Sequence, residues 1–500
     1  GGRGQTLFTK TGPPPRSPKM EGDNFMGKTK TLRQNATLDL TRGPIFSLIM
    51  RFCIPILLGN LMQQFYNMVD AAVVGKYVGT GALAAVGATG SITFLIIGFV
   101  NGLCSGFCIP LSRAFGGNDW KLLRRCLANI LYLSVIFTVV LTVGTNLGLR
   151  WLLTVMNTPA DIFADSLIYL RLLFWGIAAT VFYNLTAGII RSLGNSRTPL
   201  IVLMAASVVN IVLDLVFVIV LHLDVMGVGI ATVISQAFSG IACFVYIRKT
   251  YPELRIVADE WAWDGGILVR LLLSGLPMAL QYSITAIGSV LVQVAINDLG
   301  SLYVASVTAA VKVHSFAILP MDTLGATMAV WAGQNLGAGD TDRIKAGIHC
   351  GVKIAAVYAV FMGAAMFFLG EYVTLVFLDS SDPDLPVLMA NARTYLRIDA
   401  FFYFFLGVLS VYRFSLQGLE HGIIAMFAGL FEMAARSIVA VVFAKRYGFT
   451  AICFANPAAW VAACILLIPA YLYIMPRVIR SVQSRRETGE TGKTGETVAS

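Results

Sequence analysis

Long apolar runs separated by short polar breaks set the pattern of this chain. Twelve runs reach the roughly 20 residues a helix needs to cross a bilayer core. They fall at about 45–70, 83–111, 122–147, 162–190, 198–221, 226–247, 266–296, 303–332, 344–369, 385–412, 422–444 and 450–475. The breaks are rich in Gly, Pro, Asn and Asp, as at Gly116–Asp119 and Gly337–Asp340, which favours turns. The longest polar connection, "YPELRIVADEWAWDGG" from Tyr251 to Gly266, sits at the midpoint. The pattern predicts an all-α polytopic membrane protein with twelve transmembrane helices. Its expected divisions are a polar, disordered tail over 1–44, an N-lobe of six helices over 45–250 and a link over 251–265. A C-lobe of six helices over 266–476 and a disordered tail over 477–500 complete it.

Composition agrees. Hydrophobic residues make up 57% and charged ones 13%, about half the charged share of a soluble domain. The formal charge of +10 gathers in the tails and alternate loops, which is a topology signal and not a nucleic-acid surface. With both termini inside, the inner loops hold Arg113, Lys121, Arg124, Arg125, Arg191, Arg197, Arg248, Lys249, Arg255, Arg343, Lys345 and Arg413. The outer ones hold only Lys76, Arg150, Lys445 and Arg446. Both ends are therefore expected in the cytoplasm. The N-terminal stretch lacks the apolar core of a signal peptide, and Met20 or Met26 is the expected natural start. The 8 cysteines lie mostly within apolar runs without metal-ligand spacing, so they read as small buried side chains. The 4 histidines are scattered and no nucleophile–base pair stands out. No catalytic residue, enzyme activity or cofactor is expected.

The two halves repeat with a shift of about 222 residues. Pro55 then faces Pro277, "AFGGND" at 114–119 faces "NLGAGD" at 335–340, Asn101 falls opposite Asp322, and "RSLGN" at 191–195 lies near "LQGLE" at 416–420. Six spans per half is an even number, so the halves share one orientation and enclose a cavity about an axis along the membrane normal.

Ionisable residues inside apolar runs are costly, about 2.5–3.5 kcal/mol for a central Asp on insertion scales, and so point to function. Within "VVNIVLDLVFVIVL", Asn210 and Asp214 share a helix face. Gln63, Asn67 and Asp70 form a similar stripe on the first span, with Tyr66 one turn from Asp70. Two carboxyls backed by carboxamides suit a hard cation or a shared proton; helix–helix glue is the competing reading for Asp214, and an interfacial position for Asp70. In the second half Val292 replaces Asp70, Glu432 replaces Asn210 and Arg436 replaces Asp214. Glu432 and Arg436 are read as an internal ion pair. Lys312 is assigned to the cavity, with anchoring of Asp322 or snorkelling as alternatives. The candidate cavity set is Gln63, Tyr66, Asn67, Gln281, Tyr282, Lys312 and Asp322.

The stretches "IPILLGNLMQQFYNMVDAAVVGKYVGTGALAAVG", "AGIIRSLGNSRTP", "NIVLDLVFVIVLHLDVMGVGIATVISQ" and "WAGQNLGAGD" resemble the multidrug and toxic compound extrusion (MATE) family, in its bacterial DinF-like and MepA-like branch. The resemblance covers about residues 45–475 and implies two pseudo-symmetric six-helix lobes of the MOP flippase superfamily fold. It implies export of small organic cations and drugs from the cell through the inner (plasma) membrane, in exchange for protons or sodium ions. The family's N-lobe cation site matches Asp70, Asn210 and Asp214, with Tyr169 and Thr232 in weaker motifs; a sodium site would use Asp70, Asn210, Asp214 and Thr232. Some members carry acidic residues on spans 7 and 10, where Thr285 and Leu406 stand here, and Asp399 lies about two turns away. The N-lobe is thus the expected coupling site. The expected assembly is a monomer whose partners are its substrates and the lipid bilayer, with no nucleic acid. The alternative within the superfamily is a flippase for lipid-linked oligosaccharides.

Overall fold

The computed structural model describes residues 37–156, 158–378 and 383–487. Every regular element among them is helical, as a lipid-facing backbone requires, since helices satisfy their own hydrogen bonds. The first half contains α1 (Ile45–Val73), the short α2 (Thr80–Ala88), α3 (Gly90–Gly116), α4 (Trp120–Val155), α5 (Ala160–Trp175), α6 (Ile177–Ser192), α7 (Arg197–Leu215) and α8 (Asp224–Thr250). The second contains α9 (Gly265–Asn297), α10 (Ser301–Gly337), α11 (Thr341–Thr374), α12 (Leu385–Gly418), α13 (Gly422–Ile438), α14 (Ala444–Cys453) and α15 (Ala455–Glu487). Eleven helical segments are long and apolar enough to cross a membrane. The pair α5 and α6, bent by 46° at Gly176, makes a twelfth when taken as one span.

The repeat is visible in local chemistry. Asp119 accepts from Leu122 N and caps α4, and Asp340 accepts from Arg343 N and caps α11. A left-handed residue precedes each cap, Asn118 at φ 56° and Gly339 at φ 74°. Pro55 and Pro277 both lie buried inside the first helix of their halves. Around these prolines the first helices cross over. Leu48, Ile49, Phe52 and Ile56 of α1 pack into the apolar core of the second half, and Ile267, Leu268 and Leu271 of α9 pack into that of the first. The lobes at 45–250 and 266–476 therefore exchange the starts of α1 and α9.

Four expectations about boundaries change. The second span is broken at Thr89, between α2 and α3, and the chain between spans 11 and 12 bends at Gly448 (φ 61°) inside α14. The last span, expected to end at 475, continues as a helix to Glu487, because Val478 and Val482, four apart, bury against the second-half core while Arg486 donates to Gly339 O at 2.9 Å. Residues 37–44, assigned to a polar tail, are docked: Leu40 is fully buried, Leu38 N donates to Gly194 O and Leu40 O accepts from Arg343. The expectations for 1–36 and 488–500 lie outside the described residues.

One end of the bundle, which carries both described chain ends and is here termed the terminal face, is tightly closed. A Cβ on Gly116 would meet Gln334 O at 1.9 Å, and one on Gly337 would meet Arg113 O at 1.9 Å. Deeper in, Gly102 and Gly106 of α3, spaced as in small-xxx-small helix contacts, press against Met278 and Gly275 of α9. Glu420, between α12 and α13, binds Arg113 of α3 and Arg270 of α9, the latter through Nη2 at 2.5 Å. Burial alone would push the Glu420 carboxyl up, and the two guanidiniums outweigh it and hold it below the ordinary range. The 251–265 link is bound to α4, where Glu260 accepts from Arg124 Nε at 2.6 Å and Nη2 at 2.7 Å.

Candidate functional site

The first half places its acidic residues in its own interior. Asp70 on α1 and Asp214 on α7 come together with their carboxyl groups in side-chain hydrogen-bonding range. Asp214 is fully buried, Asn210 is 2% exposed, and Asp70 is half-buried. Neither carboxyl can donate without a proton, and no other donor satisfies Asp70 Oδ1 or either oxygen of Asp214. The Asn210 carboxamide one turn away is also without a partner. Tyr169 of α5 lies close to both carboxyls.

Beside this pair is a cavity of about 10 Å³ lined by Tyr66, Asn210, Thr232, Ser235, Gln236 and Ser239, among others, room for one water-sized species. Thr232 gives its proton to Val228 O at 2.9 Å, which leaves its oxygen lone pairs available. The donor set is entirely hard oxygen. Two adjacent carboxylates repel unless a proton or a cation lies between them. Of the five residues expected at the ion site, Asp70, Asp214 and Tyr169 come together, and Asn210 and Thr232 line the small cavity one turn away.

The local backbone here has no counterpart in the residue pattern. A π-helical turn follows α1 at Val74–Val78, with Gly79 N bonded to Val74 O, and another follows α7 at Val216–Val220, with Leu221 N bonded to Val216 O. Each begins within about one helical turn of an aspartate, and such turns recur at functional sites.

A larger cavity of about 770 Å³ lies between the lobes. Gln63, Gln281, Tyr282 and Asp322 line it, as expected, and so do Thr285 and Leu406. Three assignments to this cavity are corrected. Tyr66 lines the small cavity with Asn210 and Thr232 instead. Asn67, one turn further along α1, is exposed, does not line the cavity and donates to Gln64 Oε1 at 3.5 Å. Lys312 is exposed, with Nζ 5.4 Å from the Phe377 ring centre, so it neither lines the cavity nor anchors Asp322.

Both halves supply the cavity with groups that pattern reading misplaced. Arg191 and Arg413, counted as loop charges, lie inside α6 and α12 and line the cavity. Glu432 of α13 forms an ion pair with Arg413 and lies 3.8 Å from Arg436 Nη2, so the expected Glu432–Arg436 pair is the weaker arm of a triad. His314 also joins a cluster: its Nδ1 is 3.1 Å from Tyr403 OH and 3.4 Å from Asp399, and its ring centre is 5.9 Å from that of Trp460. All 8 cysteines are free and 7 are buried. Among the described residues no three His, Cys, Asp or Glu side chains form a metal cluster.

A family model described as MatE matches residues 55–216 and again 277–442. The second match starts 222 residues after the first (277 against 55), which is the internal repeat. The chain is 27% identical over 422 residues to the "Probable multidrug resistance protein YpnP" of Bacillus subtilis, covering 83% of this chain and 89% of that protein. It is 22% identical over 347 residues to the "Multidrug export protein MepA" of Staphylococcus haemolyticus, covering 69% and 75%. It is 21% identical over 359 residues to a "FAD transporter" of Shewanella oneidensis, covering 69% and 77%. In fold it matches a structure described as the outward-facing conformation of a multidrug resistance MATE family transporter, with a TM-score of 0.81 at 22% identity, over 88% of this chain and 98% of that one.

Proposed function

The chain belongs to the MatE family of membrane transporters, and on that premise we propose that it is an ion-coupled efflux antiporter for drug-like organic molecules. The observation that carries this reading is the buried, unsatisfied carboxyl pair Asp70–Asp214, with Asn210 beside it. A proton or a sodium ion, as the co-transported species, would hold these groups together; its departure leaves two negative charges in contact. The strain falls on α1, which carries Asp70 and Tyr66 toward the ion site and Asn60 and Gln63 toward the large cavity. The inner half of α1 is also packed into the other lobe. Movement of α1 therefore couples ion occupancy to the wall of the substrate cavity.

The terminal face, closed by Gly116, Gly337 and Glu420, is read as cytoplasmic, and the lobes are proposed to rock about their shared axis to expose the cavity alternately. One charge moving through 100 mV supplies about 2.3 kcal/mol. At about 1.4 kcal/mol per decade, that sustains roughly a fiftyfold substrate gradient without ATP. The test is dye efflux from proteoliposomes under a proton gradient or a sodium gradient imposed separately. Export is expected under one gradient, with loss in Asp214→Asn. Absence of export under either gradient, with dyes of both charge signs, defeats the reading.

A further inference from the structure

Taking the large cavity as the substrate site, we propose that its second-lobe wall is an anion-binding subsite. Arg413 and Arg436 would receive a carboxylate or phosphate group carried by an aromatic, amphipathic substrate. This rests on the reading above and narrows it, because drug export alone leaves the sign of the substrate's charge open.

Both arginines line the cavity and are almost wholly buried, at 7% and 6% exposed. One carboxylate, Glu432, serves both, so the triad keeps one excess positive charge. Arg413 Nε and Arg436 Nε and Nη1 are buried without an acceptor. A guanidinium edge in that state matches the paired oxygens of a carboxylate or phosphate. The other charged groups lining the cavity are Arg191, on the first lobe, and Asp322, on the second, and the neighbouring Asp399 has His314 at 3.4 Å. Across the whole cavity, three arginines against Glu432 and Asp322 leave an excess positive charge, so a simple organic cation finds only Asp322 outside the triad to pair with it. Tyr282, Tyr395 and Trp460 on the same wall offer faces to a planar ring, and about 770 Å³ accommodates a drug-sized molecule.

The test is fluorescence anisotropy on the full chain in neutral detergent with no ion gradient, using two dyes on one xanthene frame: carboxyfluorescein, an anion, and rhodamine, a cation. Carboxyfluorescein is expected to bind about tenfold or more tighter, and Arg436→Gln to weaken it by about tenfold. Glu432→Gln, which frees both guanidiniums, is expected to tighten it, an outcome that a folding defect cannot produce. Displacement of the dye by phosphatidylglycerol, with none by phosphatidylcholine, assigns the anionic group to a lipid headgroup; no displacement by either assigns it to a free organic anion. Rhodamine binding as tightly as carboxyfluorescein, or an anion affinity unmoved in both variants, overturns the proposal. Intact dye binding without gradient-driven export instead overturns only the coupling reading.

Discussion

At position 214 the first lobe carries an aspartate; at the repeat-equivalent position 436 the second carries an arginine. The two lobes share helix order, a buried proline inside the first helix and capped loops, yet they handle buried charge in opposite ways. The first holds carboxyl next to carboxyl with no cation supplied by the protein. The second holds Glu432 between Arg413 and Arg436. A buried charge with an internal partner is structural by default, since breaking the pair exposes the survivor to an apolar medium. A buried carboxyl pair without one stands ready for an exchangeable ion. Arg191 and Arg413, also 222 residues apart (413 against 191), both line the cavity, so the lobes agree there and part at Asp214 and Arg436.

The largest effect expected from this contrast is functional and confined to the first lobe. Asp214→Asn is expected to reduce gradient-driven export to the level of protein-free liposomes while shifting thermal stability by less than about 1 kcal/mol, because no internal partner is orphaned. Thermal unfolding in detergent alongside efflux checks both halves of that statement. The opposite result is expected in the second lobe: Arg413→Met leaves Glu432 short of its main partner and costs about 3–5 kcal/mol, read as a large drop in unfolding temperature. Recovery in the Arg413→Met/Glu432→Met double variant identifies the loss as an uncompensated charge.

A smaller effect is expected where the lobes touch. Gly116→Ala sets a methyl group against Gln334 O at 1.9 Å and costs the closed terminal face roughly 1–3 kcal/mol. Hydrogen exchange across 334–340 is expected to rise with the fold otherwise unchanged; unaltered exchange separates this contact from the closure. The smallest effect concerns the link. Arg124 hydrogen bonds hold the Glu260 carboxyl below the ordinary glutamate range. That contact contributes stability above the unfolded-state value and loses it as pH falls through the lower folded-state value. Hydrogen exchange of residues 252–264 should therefore stay slow until the acid side of the usual glutamate window, and speed up at higher pH in Arg124→Gln.

Much of this was open to reading in the sequence, for reasons that differ from residue to residue. Span count and repeat follow from apolar run length, a property the bilayer imposes directly. Asp70, Asn210 and Asp214 stood out because a carboxyl in an apolar run has few reasons to be there. The π-turns at Val74 and Val216 carry no residue signature in these Val-rich stretches and could be seen only in the backbone. Arg191 and Arg413 looked like loop charges because they stand within a few residues of predicted span ends, while the helices continue past them. Asn67 and Lys312 were misplaced because helical spacing gives relative faces and not which face meets the other lobe. Glu420 could be seen only as part of a repeat, since its partners Arg113 and Arg270 are far away in the chain.

The most direct measurement of the central claim is infrared difference spectroscopy of the full protein in lipid, following carboxyl C=O bands on a pH jump and on sodium addition. A carboxyl band that responds to the coupling ion is expected, lost in Asp70→Asn and in Asp214→Asn alike and retained in Asp399→Asn. A band that survives both first-lobe substitutions and disappears with Asp399 would contradict the account and move the ion site to the second lobe.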